Sequence, residues 1–362
     1  MSEENTTTWK FYLSPTQAWE AMLFMCEQAT ISIDFEQFIL CDDSVGQKFI
    51  EIFTKKAKEG VKIRIICDTA GSLGLLNSGI PERLREAGVE IAFFNWLTPG
   101  SIGNHSIWFF RDHQRIVIID GKKAFTGSVC IDENTKNWRE TQVSLEGPVV
   151  QEMNYSFLVM WKKAYKQRLK YPNGKKQMAE NPEFGYINNI PLPRKRYLYY
   201  TFLREIKKAE KNIYLTTPYF VPDRKLKRAL RNAVWRGVDV RVIVPERSDH
   251  LIVDIASRTH FESLLRNKIR IFTYTPTTIH SKTGSIDDRW ASVGSFNLDS
   301  LSLHYNFEGS VISRNKIFAK EVREQFEEDM KNSKEVNLKE WRQRSLLWKI
   351  LELCIWPIRR FL

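Results

Sequence analysis

Two stretches of the chain read alike. The first is His113-Gln-Arg115-Ile-Val-Ile-Ile-Asp120, followed by Gly127-Ser128; the second is His280-Ser-Lys282-Thr-Gly-Ser-Ile-Asp287, followed by Gly294-Ser295-Phe-Asn297. His, a cation, Asp, Gly and Ser fall at the same offsets in both. A Glu follows at nearly the same distance, Glu140 in the first and Glu308 in the second. A lone His is usually a satisfied core or surface residue, and His105, His250, His260 and His304 read that way. A shared register around His113 and His280 calls for a chemical reason instead. Strand alternation supplies part of it: residues i and i+2 project to one face, so each His is expected to enter a pocket together with its cation.

Outward from these motifs the pattern is α/β. Strand-like Ile31–Glu36, a helical stretch from Val45 to Lys58, Gly60, and strand-like Val61–Ile66 open the first half. Strand-like Asn212–Thr216, a helical stretch from Arg224 to Trp235, Gly237, and strand-like Val238–Val244 repeat that order in the second. Both halves continue to a further strand, Val89–Phe94 and Ile269–Thr273, and each Gly-Val step reads as a left-handed helix cap. The repeat spacing of roughly 170 residues is that of a duplicated domain rather than a solenoid. The expected organisation is a half over residues 1–165, a basic linker over 166–196, a second half over 197–332, and a C-terminal amphipathic segment over 333–362.

The chain has 362 residues and a formal charge of +12, which suits an anionic partner: nucleic acid, an acidic bilayer surface or a phosphate-bearing substrate. Its five cysteines are scattered without a C-x-x-C pair, which argues against a disulfide framework or zinc site and for a reducing compartment. The opening MSEENTTTWKFYLS is polar and acidic and does not read as a signal peptide. No run of about 18 uninterrupted apolar residues is present.

A phosphodiester needs what the doubled motif offers. One imidazole attacks phosphorus, a second protonates the leaving oxygen, and cations neutralise the non-bridging oxygens as charge grows there. A carboxylate on each imidazole's far nitrogen would fix its tautomer and support its transient charge. Neither copy supplies two His; two copies facing each other do.

On these residues the chain resembles the phospholipase D superfamily, over most of residues 15–332. The resemblance implies two similar α/β halves about a pseudo-twofold axis, with one active site at their interface and no metal or other cofactor. It implies His113 and His280 as nucleophile and general acid/base, with His113 the favoured attacker and a phosphohistidine intermediate between. Arg115, Lys282, Ser128, Ser295 and Asn297 would bind phosphate oxygens, Glu140 and Glu308 would orient the imidazoles, and Asp120 and Asp287 would hold the motif loops. Two departures stand out: Arg115 where the family has Lys, and Cys130 where the first copy would have Asn.

Within the superfamily the chain is most similar to bacterial cardiolipin synthases and related phosphatidyltransferases, through Ile213-Tyr-Leu-Thr-Thr-Pro-Tyr-Phe-Val-Pro-Asp223, the Trp138-Arg139 pair, Glu146-Gly147-Pro148 and the run from Gly294 to Ser300. The implied reaction makes cardiolipin from phosphatidylglycerol and releases glycerol. Phospholipid hydrolysis and a nuclease of the same superfamily are the alternatives. The stretch Leu338–Leu362, rich in Leu, Ile and Trp with Arg359-Arg360 near its end, suits a helix in a membrane interface; docking onto the core is its rival. The expected location is the inner face of the cell membrane, on anionic phospholipid.

Overall fold

The computed structural model describes residues 6–95, 110–165, 183–192 and 194–357. Two mixed sheets carry the fold. The first contains β1 (Thr8–Tyr12), β2 (Ser32–Gln37), β3 (Lys62–Asp68), β4 (Glu90–Phe94), β5 (Ile116–Ile119), β6 (Lys123–Gly127) and β7 (Gln142–Glu146), ordered β1-β7-β6-β5-β2-β3-β4. The second contains β8 (Phe184–Asn189), β9 (Asn212–Thr216), β10 (Asp239–Pro245), β11 (Arg270–Tyr274), β12 (Thr283–Ile286), β13 (Trp290–Gly294), β14 (Glu308–Ser313) and β15 (Ser333–Glu335), ordered β15-β11-β10-β9-β12-β13-β14-β8. Apart from the short β15 at one edge, the two orders correspond strand for strand.

In each sheet one side is parallel and needs crossovers. Helix Ser44–Lys58 joins β2 to β3, and helix Arg224–Trp235 joins β9 to β10. Both helices end at a glycine with φ of +90°, Gly60 and Gly237. There Val61 N and Val238 N return to the carbonyls of Lys56 and Ala233, closing the caps the Gly-Val steps predict.

The linker expected over 166–196 requires correction. β8 lies within it, pairs antiparallel with β14, and is the counterpart of β1, which pairs antiparallel with β7. The second half therefore begins at this strand rather than at 197; residues 166–182 and 193 lie outside the described residues. Lys/Asn/Pro-rich surroundings concealed the strand, whose alternate residues Tyr186 and Phe184 fill a core shared by both halves. That shared core also takes Ile116, Ile118 and Val143 from one sheet and Ala291, Val293 and Val311 from the other, with helices Val149–Ala164 and Lys316–Lys331 against it. Burial of this apolar surface fixes the sheets face to face. The run Tyr197–Leu203 forms part of helix Tyr197–Lys208 and turns Leu198, Tyr199, Phe202 and Leu203 into the second half's outer core.

Asp120 and Asp287 occupy the turns between β5 and β6 and between β12 and β13, both at positive φ (53° and 54°), a conformation Asp tolerates better than most residues. The Asp120 carboxylate accepts the amides of Thr30, Ile31 and Ser32; that of Asp287 accepts those of Glu210, Lys211 and Asn212. Each motif hairpin is thereby tied to the start of its central parallel strand. Burial acts to raise both carboxyls, but the amides outweigh it and hold them below the usual range. A carboxylate so depressed stabilises the fold above its unfolded value, about 3.9, and loses the contribution as pH falls through the folded one. The Asp120→Asn/Asp287→Asn variant should have a lower urea midpoint than wild type at pH 7, with the gap narrowing between pH 4 and pH 2.

Candidate active site

The motif histidines sit just before β5 and β12, on extended segments that leave their own sheet and bond to the opposite half. His113 N donates to Phe307 O (2.9 Å) and Phe307 N to Arg111 O (2.8 Å); His280 N donates to Arg139 O (2.8 Å) and Arg139 N to Thr278 O (2.9 Å). Phe307 and Arg139 are the residues before Glu308 and Glu140, so each backbone pair delivers a carboxylate to the other half's imidazole. His113 Nδ1 lies 2.9 and 3.0 Å from the Glu308 oxygens, and His280 Nδ1 lies 2.6 Å from Glu140 Oε1. The two dyads are crossed.

The Gly-Ser steps explain themselves here. A Cβ on Gly127 would stand 2.4 Å from Thr141 O, and one on Gly294 would stand 2.3 Å from Gly309 O. Glycine lets β6 approach β7, and β13 approach β14, closely enough for the next residue to reach the carboxylate. The Ser128 hydroxyl donates to Glu140 and the Ser295 hydroxyl to Glu308, which also accepts from Ser302 (2.6 Å). This revises the expectation that Ser128 and Ser295 bind phosphate. Both are fully buried, and their amides are already bonded to Thr141 O and Gly309 O, so neither has a proton to offer a substrate. Gly294→Ala should separate β13 from β14, cost about 1–3 kcal/mol of stability measured by urea unfolding, and lower turnover through displacement of Glu308.

The cations lie on the open side of the imidazoles. Lys282 Nζ is 2.7 Å from both His280 O and His280 Nε2. Arg115 Nη1 donates to His113 O (3.1 Å), and Nη2 lies 3.3 Å from His113 Nε2. With each Nδ1–H on a carboxylate, each Nε2 presents its lone pair toward a cation and the cavity. The two departures from symmetry prove to be one. Cys130 occupies the place matching Asn297, and its Sγ accepts Arg115 Nε (3.3 Å) and Nη2 (3.2 Å). A guanidinium is bulkier than an ammonium, and the smaller thiol makes room for it. On the other side Asn297 stays as an amide at the cavity wall, its buried Oδ1 lacking a hydrogen-bond partner among the described residues.

Electrostatics separate the dyads further. Burial acts to raise Glu140, but the charge and hydrogen bond of His280, with Lys282 and the Ser128 hydroxyl, bring it down to about 2. Burial pushes Glu308 up to about 8 against Ser295, Ser302 and Arg115. Both imidazoles are lowered, chiefly by burial, His113 well below its ordinary range with Arg115 and Lys282 adding to the effect. Burial also lowers Lys282 to about 7, with Glu140 opposing and Arg115 reinforcing. Its charge is therefore lost from the free protein as pH rises past neutrality. On a phosphodiester substrate, log(kcat/KM) should fall more steeply above about pH 7 as Lys282 loses its charge, and Lys282→Arg, whose guanidinium does not titrate there, should remove that added steepness and leave the shallower fall set by His280.

One cavity of about 700 Å³ receives both imidazoles, Arg115 and Asn297. Phe38 stands edge-on to His113 (4.8 Å between centroids) and Trp138 edge-on to His280 (5.1 Å); Ile39, Val253 and Leu301 add apolar wall. Tyr219 lines the cavity while Phe220 is buried beneath it, and His250 lies at its edge. The sequence does not single out Phe38. Trp138 carries a readable signal: it stands two residues before Glu140, where the second half has Asn306 before Glu308, and both line the cavity. His260 and His304 lie outside this cavity, and His105 lies outside the described residues. Among the described residues, Cys41, Asp43 and Asp132 cluster closely, but Asp43 accepts Val45 N, Gly46 N and Glu133 N, and Asp132 accepts Asn134 N, as helix and turn caps.

A family model described as cardiolipin synthase, phospholipase D-like domain, matches residues 23–161 and 202–330. A cardiolipin synthase of Clostridium perfringens is 30% identical over 95% of this chain and 75% of its own length. One of Halalkalibacterium halodurans is 33% identical over 90% of this chain and 66% of its own length, and cardiolipin synthase A of Pseudomonas entomophila is 30% identical over 94% and 72%. The crystal structure of a phosphatidylserine synthase from Haemophilus influenzae superposes with a TM-score of 0.76 at 12% identity, covering 100% of this chain and 96% of that one, which shows a shared fold. With its paired halves matched by that model and its length by those relatives, the chain belongs to the cardiolipin synthase family of phospholipase D-like proteins.

Proposed function

We propose that the protein transfers phosphatidyl groups and makes cardiolipin from phosphatidylglycerol. The observation that carries this reading is the pair of His–carboxylate dyads, each closed across the junction between halves and both opening on one cavity. His113 Nε2 attacks the phosphorus of a first phosphatidylglycerol while His280 gives its proton to the departing glycerol oxygen. The phosphorus–oxygen bond to that glycerol breaks and a phosphohistidine remains. The hydroxyl of a second phosphatidylglycerol then loses its proton to His280 and attacks the same phosphorus, releasing His113 and cardiolipin. Arg115, Lys282 and the Asn297 amide meet the negative charge that grows on the non-bridging oxygens in both steps.

The division of labour follows from the carboxylates. Glu140, held firmly ionised, favours a proton on His280, as an acid requires. Glu308 holds its negative charge less firmly, which suits an imidazole that stays neutral and nucleophilic. The apolar walls formed by Phe38, Trp138, Val253 and Leu301 favour a lipid hydroxyl over water as acceptor. They also favour lipid over DNA as donor. The substrate places the enzyme at a membrane surface, and the charge of +12 supports the inner, anionic leaflet.

Labelled phosphatidylglycerol in vesicles, offered with a plasmid-nicking control, tests the reaction. Cardiolipin plus glycerol is expected; phosphatidic acid alone, or nicked DNA with intact lipid, would overturn it. His113→Ala should abolish turnover of every phosphodiester. His280→Ala should lose at least about a hundredfold on phosphatidylglycerol yet retain activity on a p-nitrophenyl phosphodiester, whose leaving group needs no proton. The opposite pattern would exchange the two roles.

A further inference from the structure

Among the described residues no helix is long and apolar enough to cross a membrane. The C-terminal helix Leu346–Ile355 shows another relation to lipid, because it rests on the core the wrong way round. Its buried side carries Glu352, which accepts Arg344 Nε (2.9 Å) and lies 3.7 Å from Arg258. The Arg258 guanidinium sits over the rings of Trp341 (4.6 Å) and Trp348 (4.3 Å), fastening the helix to helix Leu251–Arg266. The opposite side displays Leu346, Leu347, Ile350, Leu353 and, at its end, Trp356, all between 50% and 72% exposed. A surface helix normally does the reverse.

Two further observations adjoin this ridge. Leu251 and Ile252, also more than half exposed, begin the supporting helix between His250 and Val253, which line the active cavity. Beside Trp356, Arg224 and Lys227 line a second cavity of about 540 Å³, and the exposed Lys225 and Arg228 continue the positive charge along helix Arg224–Trp235. The helix thus runs from the neighbourhood of Leu251, with which Trp348 lines a further cavity, to a cationic flank at Trp356.

We infer that this face is where the protein docks on an anionic bilayer. Leu346, Leu347, Ile350 and Leu353 enter the acyl region, Trp356 lies at headgroup level, and the 224–235 helix meets lipid phosphates. Docking in this orientation brings His250 and Val253, which line the active cavity, beside the membrane. The inference rests on a membrane phospholipid being the substrate. Charge complementarity beside an apolar ridge favours a bilayer over a second copy of the chain, whose matching face would be equally positive.

The test uses the full chain, sedimented with vesicles of phosphatidylcholine alone or with phosphatidylglycerol. Leu347→Asp/Leu353→Asp alters two exposed side chains, so the melting temperature should hold while partitioning onto the mixed vesicles falls by about a hundredfold. Turnover of short-chain phosphatidylglycerol below its micelle concentration should persist. In parallel, an environment-sensitive fluorophore on Cys354, the exposed cysteine, should shift to the blue on adding mixed vesicles to otherwise unaltered protein. Unchanged partitioning of the variant, no spectral shift, or a dimer-to-monomer change with vesicle binding intact would overturn the docking face. Vesicle binding that depends on the ridge, with no turnover of soluble or vesicle lipid, would overturn the proposed reaction and leave the docking face standing.

Discussion

The hydrogen bonds from His113 Nδ1 to Glu308 and from His280 Nδ1 to Glu140 are the contacts to which the rest of the architecture answers. Each runs from one half to the other, so neither imidazole is oriented until the halves are together. The shared apolar core between the sheets supplies the force that brings them there. The parallel bridges of Asp112 with Phe307 and of Arg139 with Ile279 set the register to a single residue. The glycines at 127 and 294 bring neighbouring strands close enough for a serine to hold each carboxylate. Assembly of the halves and orientation of the imidazoles are therefore coupled.

Duplication supplies the pieces in matched pairs, and small changes make the pairs unequal. A buried carboxylate near charged donors sits on a balance between desolvation and pairing, and modest differences in surroundings tip it. Glu140, with Lys282 and His280 close by, settles as an anion. Glu308, with two hydroxyls and a more diffuse guanidinium, is left with burial dominating. A reaction whose two steps need one imidazole as nucleophile and the other as proton carrier gains from that inequality.

Much of this was legible in the sequence. The doubled motif and the repeated strand–helix–Gly-Val order fixed the paired α/β halves, because their spacings derive from local geometry that repeats with the chain. Two things were not legible. A repeat has the same offsets whether Glu140 serves His113 or His280, so the crossing of the dyads exists only in three dimensions. The strand Phe184–Asn189 lies next to residues whose composition reads as loop, and what makes it a strand is the edge of β14 and the core waiting for Tyr186. The contacts of Ser128 and Ser295 with the carboxylates were hidden for a related reason: spacing puts a hydroxyl near the site but does not say which acceptor it meets first.

The contact between Arg115 and Cys130 constrains how this site can change over time. Restoring an amide at 130 while the guanidinium remains would crowd a fully buried space, and shortening Arg115 alone would leave a void beside the thiol. Either change made alone therefore disturbs packing that the present pair satisfies. The two positions are physically coupled, because volume given up at one is taken up at the other.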